Sequence, residues 1–180
     1  MAVTPRILLV IDIQQEYTAA GRAFHIAGIE PSLTNAKTLI DAARVAGVPV
    51  WHVQHQQEKG VFARGGEHTD PIAGFEPQGD EPVFIKDMYN SFSSPELVKA
   101  LEATKPEDIT VIGYGTPLCC LSTIVDGMHR GYSFTLVEDA VAAKATKQTS
   151  EEEMHRSAVN VISEYARVTR TEDVLQEFKG

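Results

Sequence analysis

Two thiols stand side by side at Cys119 and Cys120, and they are the only cysteines in the chain. Neighbours in sequence cannot staple distant parts of a fold, so a reducing, cytoplasmic setting and a chemical role are the natural reading. Cys119 follows Gly113-Tyr114-Gly115-Thr116-Pro117-Leu118, whose glycines permit a tight passage from a strand into a helix. A thiol there meets the positive end of a helix dipole and unpaired backbone N–H groups, which is expected to favour the thiolate and lower its pKa. Two more reactive groups end apolar runs: Asp12 after Ile7-Leu8-Leu9-Val10-Ile11, and Lys86 after Val83-Phe84-Ile85. A carboxylate beside a thiol can take its proton and later return it to a leaving amine, and an ammonium supports the developing charge. Backbone N–H groups in the Gly-rich turn can hold the oxyanion of a tetrahedral adduct. Each residue alone has a plainer reading, Asp12 as a turn former, Lys86 as a surface charge and Cys120 as a small buried hydrophobe.

These groups can meet only if the chain brings strand ends together. Short β-branched apolar runs at 7–11, 48–53, 82–85, 109–112, 134–137 and 167–169 alternate with helical patterns at 32–46, 95–104, 118–130, 151–163 and 171–178. Gly47 marks one helix C-terminus, Ser94 an N-cap, and Ser150 before Glu151-Glu152-Glu153 another capped start. Alternating strands and helices predict a single Rossmann-like α/β domain over 1–180, three-layer α/β/α, with a mainly parallel sheet of about six strands. Reacting groups in such sheets collect at the carboxyl edge. The irregular stretch 54–81 is expected to serve as a lid or a subunit contact.

The formal charge of -9, from 16 Lys and Arg against 25 Asp and Glu, disfavours nucleic acid as a partner. No run of residues is apolar and long enough to suggest a membrane span, and residues 1–6 lead straight into an apolar run, so export is not expected. A small-molecule substrate fits this composition.

The motifs together resemble the isochorismatase-like cysteine hydrolases, the superfamily that includes nicotinamidases and N-carbamoylsarcosine amidases. Asp12-Ile13-Gln14-Gln15-Glu16-Tyr17 matches its first block, and Lys86 with Ser91-Phe92 and Leu97 its second. Gly113, Thr116, Cys119, Thr123, Asp126, Gly131-Tyr132 and Val137-Glu138-Asp139-Ala140 match the third. The resemblance implies Cys119 as nucleophile, Asp12 as proton shuttle and Lys86 as electrostatic support, acting on an amide, carbamoyl or ureide C–N bond. It further implies an oxyanion hole at the backbone N–H groups of Gly115 and Cys119, and a cis peptide between Tyr114 and Gly115. Tyr17 and Tyr114 are expected in the substrate pocket, and a homo-oligomer, dimer or tetramer, is expected by analogy.

The resembling nicotinamidases carry an Asp-x-His metal pattern where this chain reads His55-Gln56-Gln57, so no metal or organic cofactor is expected. His52 and His55 are three apart on a strand and should face opposite sides, which prevents joint chelation. Trp51 reads as core, and His68 and His155 as solvated or structural. Two other functions compete: a vinyl-ether hydrolase of the isochorismatase type, which does not use the cysteine, and a non-catalytic binding or redox module built on Cys119-Cys120.

Overall fold

Alternation along the strands and stripes along the helices sort into three layers in the computed structural model, which describes residues 6–179. The strands are β1 (Arg6–Ile11), β2 (Val50–His55), β3 (Val83–Lys86), β4 (Asp108–Tyr114), β5 (Phe134–Ala142) and β6 (Arg167–Thr169). The helices are α1 (Glu30–Ala46), α2 (Pro95–Thr104), α3 (Leu121–His129), α4 (Glu151–Ile162) and α5 (Thr171–Glu177). The strands form one six-stranded sheet in the order β3-β2-β1-β4-β5-β6. Every pairing is parallel. No described helix is long and apolar enough to cross a membrane.

Strand parity decides which layer each residue joins. Ile7, Leu9 and Ile11 of β1 pack with Ile109 and Val111 of β4 against Leu97, Leu101, Ile124, Val159 and Ile162 of α2, α3 and α4. Leu8 and Val10, with Ile112, face the other way onto Leu33, Ala36, Leu39, Ile40 and Ala43 of α1 and Val174 of α5. Each such side chain contributes about 1.5 to 3 kcal/mol on full burial, which is why both faces of the sheet are covered. Local signals set the ends. Gly47 adopts φ +70° after α1, Ser94 accepts from the Leu97 N–H, and Ser150 and Glu153 form a reciprocal capping box on α4.

Among the boundaries that differ from expectation, those of β2, β5 and α3 shape the site. Strand β2 runs on to His55 because that residue pairs with Lys86 at the end of β3; the polar Gln54 and His55 read as loop in sequence but stand in the ladder. Strand β5 continues through the half-buried Glu138 and Asp139 with a register shift against β4. Asp139 is polar there because its carboxylate accepts from the Thr171 N–H and hydroxyl, both 2.8 Å, capping α5. The helix expected from 118 begins instead as a widened π-type turn, Thr116–Cys120, with α3 proper starting at Leu121. Its Leu121 N–H reaches back to the Thr116 carbonyl, and such widened turns are frequent at functional sites.

From β1 the chain proceeds outward through β2 to β3, then returns to build β4 on the opposite side of β1. That reversal places the topological switch point at the carboxyl ends of β1 and β4, where α/β sheets carry their sites. The two strands approach so closely that a Cβ on Gly113, at φ +113°, would sit 1.9 Å from the Ile11 carbonyl oxygen. Backbone cannot yield there. Gly113→Ala should therefore cost about 3 kcal/mol or more, read as a denaturant midpoint shift at unchanged slope. A wild-type midpoint would show that the β1–β4 spacing is not what requires glycine.

Candidate active site

Asp12 leaves β1 at φ +52°, a left-handed conformation that Asp tolerates better than most residues, and its N–H donates to the Val53 carbonyl at 2.9 Å. The turn is locked by Gln14, fully buried two residues on. Its amide group accepts from the His55 N–H (2.9 Å) and donates to the carbonyls of His55 (3.1 Å) and Thr69 (2.5 Å). One side chain thus ties the end of β1 to the end of β2 and to the segment 56–82. That segment is a strap along residues 13–16, with Gln15 and Glu16 N–H groups donating to Asp70 and His68 carbonyls and Ile72 N–H to Ile13.

Lys86 reaches the same place from β3. Its Nζ stands 2.8 Å from Asp12 Oδ2, with both side chains completely shielded from solvent. It also donates to the carbonyls of Met88 (3.2 Å) and Tyr89 (2.6 Å). The segment carrying those carbonyls is pinned to α3. The Ser91 N–H donates to Thr123 Oγ1 at 2.9 Å, the Thr123 hydroxyl to Ser91 Oγ at 2.9 Å, and Asn90 Nδ2 to Asp126 Oδ2 at 2.6 Å. Burial opposes the Lys86 ammonium, but the Asp12 carboxylate leads the opposing influences, and the pKa is held above the ordinary lysine range.

The widened turn after β4 delivers the third group. Gly115, joined to Tyr114 by a cis peptide, accepts at its carbonyl from the N–H groups of both Leu118 and Cys120, each 3.2 Å. The Cys119 amide between them is left out of that pair of bonds. The Cys119 sulfur, an Asp12 carboxylate oxygen and a His55 ring nitrogen all lie within 4.8 Å of one another. The three residues expected to carry the chemistry, Asp12, Lys86 and Cys119, therefore converge.

One expectation is overturned. Burial pushes the Cys119 thiol up to about 12, the Asp12 carboxylate pushes the same way, and Lys86 only partly opposes them. The resting group is a thiol, because a carboxylate neighbour and the loss of water outweigh what one ammonium supplies. Cys120, fully buried with its sulfur 3.8 Å from the Gly113 carbonyl, is a packed hydrophobe, as its plain reading had it. Both thiols are free.

His55 is the site residue that sequence reasoning passed over. Its ring stacks on Phe62 at 4.4 Å between centroids, its Nε2 lies 3.3 Å from the Asp87 carbonyl, and its buried Nδ1 has no partner among the described residues. Desolvation lowers its pKa, so it is neutral. The available signal was its place two residues past the apolar run 48–53, at the same edge. His52, of opposite parity, turns away to Glu81 at 2.9 Å, in the cluster with Arg44 that anchors the far end of the strap.

Tyr17 stacks obliquely on Phe62 and Tyr114, at 6.0 and 5.5 Å, and its phenol faces the Cys119 sulfur, which adds to the upward push of burial on its pKa. Tyr114 turns its hydroxyl to Ser32 of α1 at 2.9 Å. With Phe24 and Tyr89 these rings form an aromatic wall over the acid, the amine and the thiol. Trp51 packs in the core against Phe84. His155 bonds Thr116 Oγ1 at 3.2 Å, a structural tie to the turn that carries Cys119.

A thiol, a carboxylate and an ammonium gathered at the switch point of a parallel sheet suit a hydrolase, and comparison with known proteins gives the family. The chain belongs to the isochorismatase family: the family model described as Isochorismatase domain matches residues 6–173. The secreted isochorismatase effector Isc1 of Verticillium dahliae is 32% identical, covering 75% of this chain and 71% of its own length. The maleamate amidohydrolase of Pseudomonas putida is 24% identical, covering 96% and 86%. A cysteine hydrolase of known structure from Pseudomonas syringae superposes with a TM-score of 0.91 at 25% identity, covering 98% of this chain and 93% of that one.

Proposed function

We propose that the protein hydrolyses a C–N bond, of amide, carbamoyl or ureide type, in a small molecule, with Cys119 as nucleophile. The observation that carries this reading is the buried Asp12–Lys86 pair, 2.8 Å apart, with the Cys119 sulfur against the same carboxylate. Asp12 takes the thiol proton as the sulfur attacks the carbonyl carbon, so the thiolate exists only during attack. The oxyanion is received by the N–H groups of Gly115 and Cys119. Collapse breaks the C–N bond, and Asp12 hands the proton to the departing amine or ammonia. Water, deprotonated by Asp12, then cleaves the acyl–sulfur bond and restores the thiol. Lys86, 2.8 Å from the carboxylate, supports the charge that develops around it. No step calls for a metal or organic cofactor.

Support from relatives is of the same kind: among them one is named maleamate amidohydrolase and another ureidoacrylate amidohydrolase, each hydrolysing what its name states. Tyr17 forms one wall of the pocket, and the strap 56–82 with Phe62 forms its lid. The reduced thiols fit a cytoplasmic setting. Met88 and Tyr89, exposed beside the Lys86 loop, suit contact with a second copy in a homo-oligomer. A screen of small primary amides, carbamoyl compounds and ureides for ammonia release tests the reading. At least one compound should turn over with release stoichiometric with the acid formed, and acid formation from a vinyl ether alone would defeat it.

A further inference from the structure

Beside the acid, the amine and the thiol stands a buried polar atom that the hydrolytic reading does not use, His55 Nδ1. Asp12 Oδ2 serves Lys86, but Asp12 Oδ1 accepts no hydrogen bond among the described residues, and neither does His55 Nδ1. Both residues are essentially without solvent exposure. An unpaired lone pair in such a place costs free energy unless something comes to meet it. The Cys119 sulfur, a carboxylate oxygen of Asp12 and a ring nitrogen of His55 lie within 4.8 Å of one another. Tetrahedral zinc, with bonds of about 2.0 to 2.3 Å, sets its ligands around 3.5 Å apart, inside the 4.8 Å that bounds this trio.

We propose that Asp12, His55 and Cys119 form a binding site for a thiophilic divalent cation, zinc or cadmium, which reversibly blocks hydrolysis. The donor set of one thiolate, one imidazole and one carboxylate suits borderline and soft ions and disfavours calcium or magnesium, which take oxygen ligands. The histidine is prepared for the role: its Nε2 faces the Asp87 carbonyl at 3.3 Å, which fixes the tautomer that leaves Nδ1 as a free lone pair. On binding, the S–H bond of Cys119 breaks, a metal–sulfur bond forms, and one proton leaves to the buffer. Neither donor nor acceptor changes oxidation state. Lys86, beside the same carboxylate, repels the cation and keeps the site an inhibitory one rather than a permanent one. This placement differs from an Asp-x-His motif after the second strand, which the chain lacks.

Binding depends on geometry alone, whereas inhibition depends also on the proposed role of Cys119, and the two are measured separately. Calorimetric titration of zinc into metal-free protein, in buffers of different ionisation heat, should show one ion bound per chain with about one proton released. Cobalt in place of zinc should give a sulfur-to-metal charge-transfer band. Cys119→Ser should abolish that band and weaken zinc at least a hundredfold, His55→Gln should weaken it at least tenfold, and Cys120→Ala should leave both unchanged. Lys86→Met should tighten binding although it removes activity. Zinc binding that is absent, or unaffected in both Cys119→Ser and His55→Gln, would overturn the proposal. If His55→Gln fails to fold, a missing cobalt–sulfur band in the unaltered protein does so. A band present while Cys119→Ser still hydrolyses substrate would uphold the metal site and remove the nucleophile.

Discussion

Cys119→Ser should lower kcat on a productive amide by about a thousandfold or more, while Cys120→Ala stays within a few-fold of the parent. The contrast between adjacent thiols is the sharpest available, since one faces a carboxylate and an ammonium and the other only packing. The same chemistry has a pH signature. Because the Cys119 thiol is pushed up to about 12, its reaction with iodoacetamide in the resting enzyme should be slower than that of an ordinary cysteine. The rate should climb with pH without levelling off near neutrality, since the thiolate fraction grows about tenfold per pH unit below the pKa. A plateau at or below about pH 8, near the pKa of a free thiol, would mean a preformed thiolate and would contradict base-assisted attack by Asp12. Full turnover in Cys119→Ser would favour vinyl-ether chemistry, and failure to hydrolyse any compound would favour a silent binding module.

The order of elements was legible because burial on both faces of a parallel sheet demands continuous apolar runs, and helices between them demand stripes; both are one-dimensional patterns. Asp12, Lys86 and Cys119 were legible for a related reason, as each stands at the end of an apolar run, where the carboxyl edge must lie. His55 was not, since the ladder partner that extends β2 is Lys86, a contact no local pattern encodes. The state of the thiol was misread because a helix start after Gly115 and a lysine at a strand end are both legible in sequence. The burial that outweighs them comes from residues remote along the chain, Tyr17 beside the sulfur and the core that Cys119 shares with Ile7, Leu9 and Ile11 of β1. Gln14 shows the reverse case: the resemblance singled it out, and only the fold explains it, as one buried amide closing three backbone bonds.

Asp12→Asn and Lys86→Met should each destabilise the protein by about 3 to 5 kcal/mol, because either change strands a fully buried charge. For a chain of this size that corresponds to a fall in Tm of roughly 10 °C. Asn is the informative replacement at position 12, since it tolerates the φ of +52° and so isolates the charge from backbone strain. After Asp12→Asn the Lys86 ammonium loses its anion and is left with neutral acceptors such as the Met88 and Tyr89 carbonyls, and after Lys86→Met the carboxylate loses its one cation. Combining the two removes both charges together, so the double variant should recover most of the lost stability. Activity should behave differently, remaining at least about a hundredfold down in all three, because proton transfer needs the carboxylate and the carboxylate needs its ammonium. This non-parallel response separates the pair's structural role from its chemical one. Single variants as stable as the parent would show that the pair is solvated, and a double variant that hydrolyses normally would show that neither charge serves the reaction.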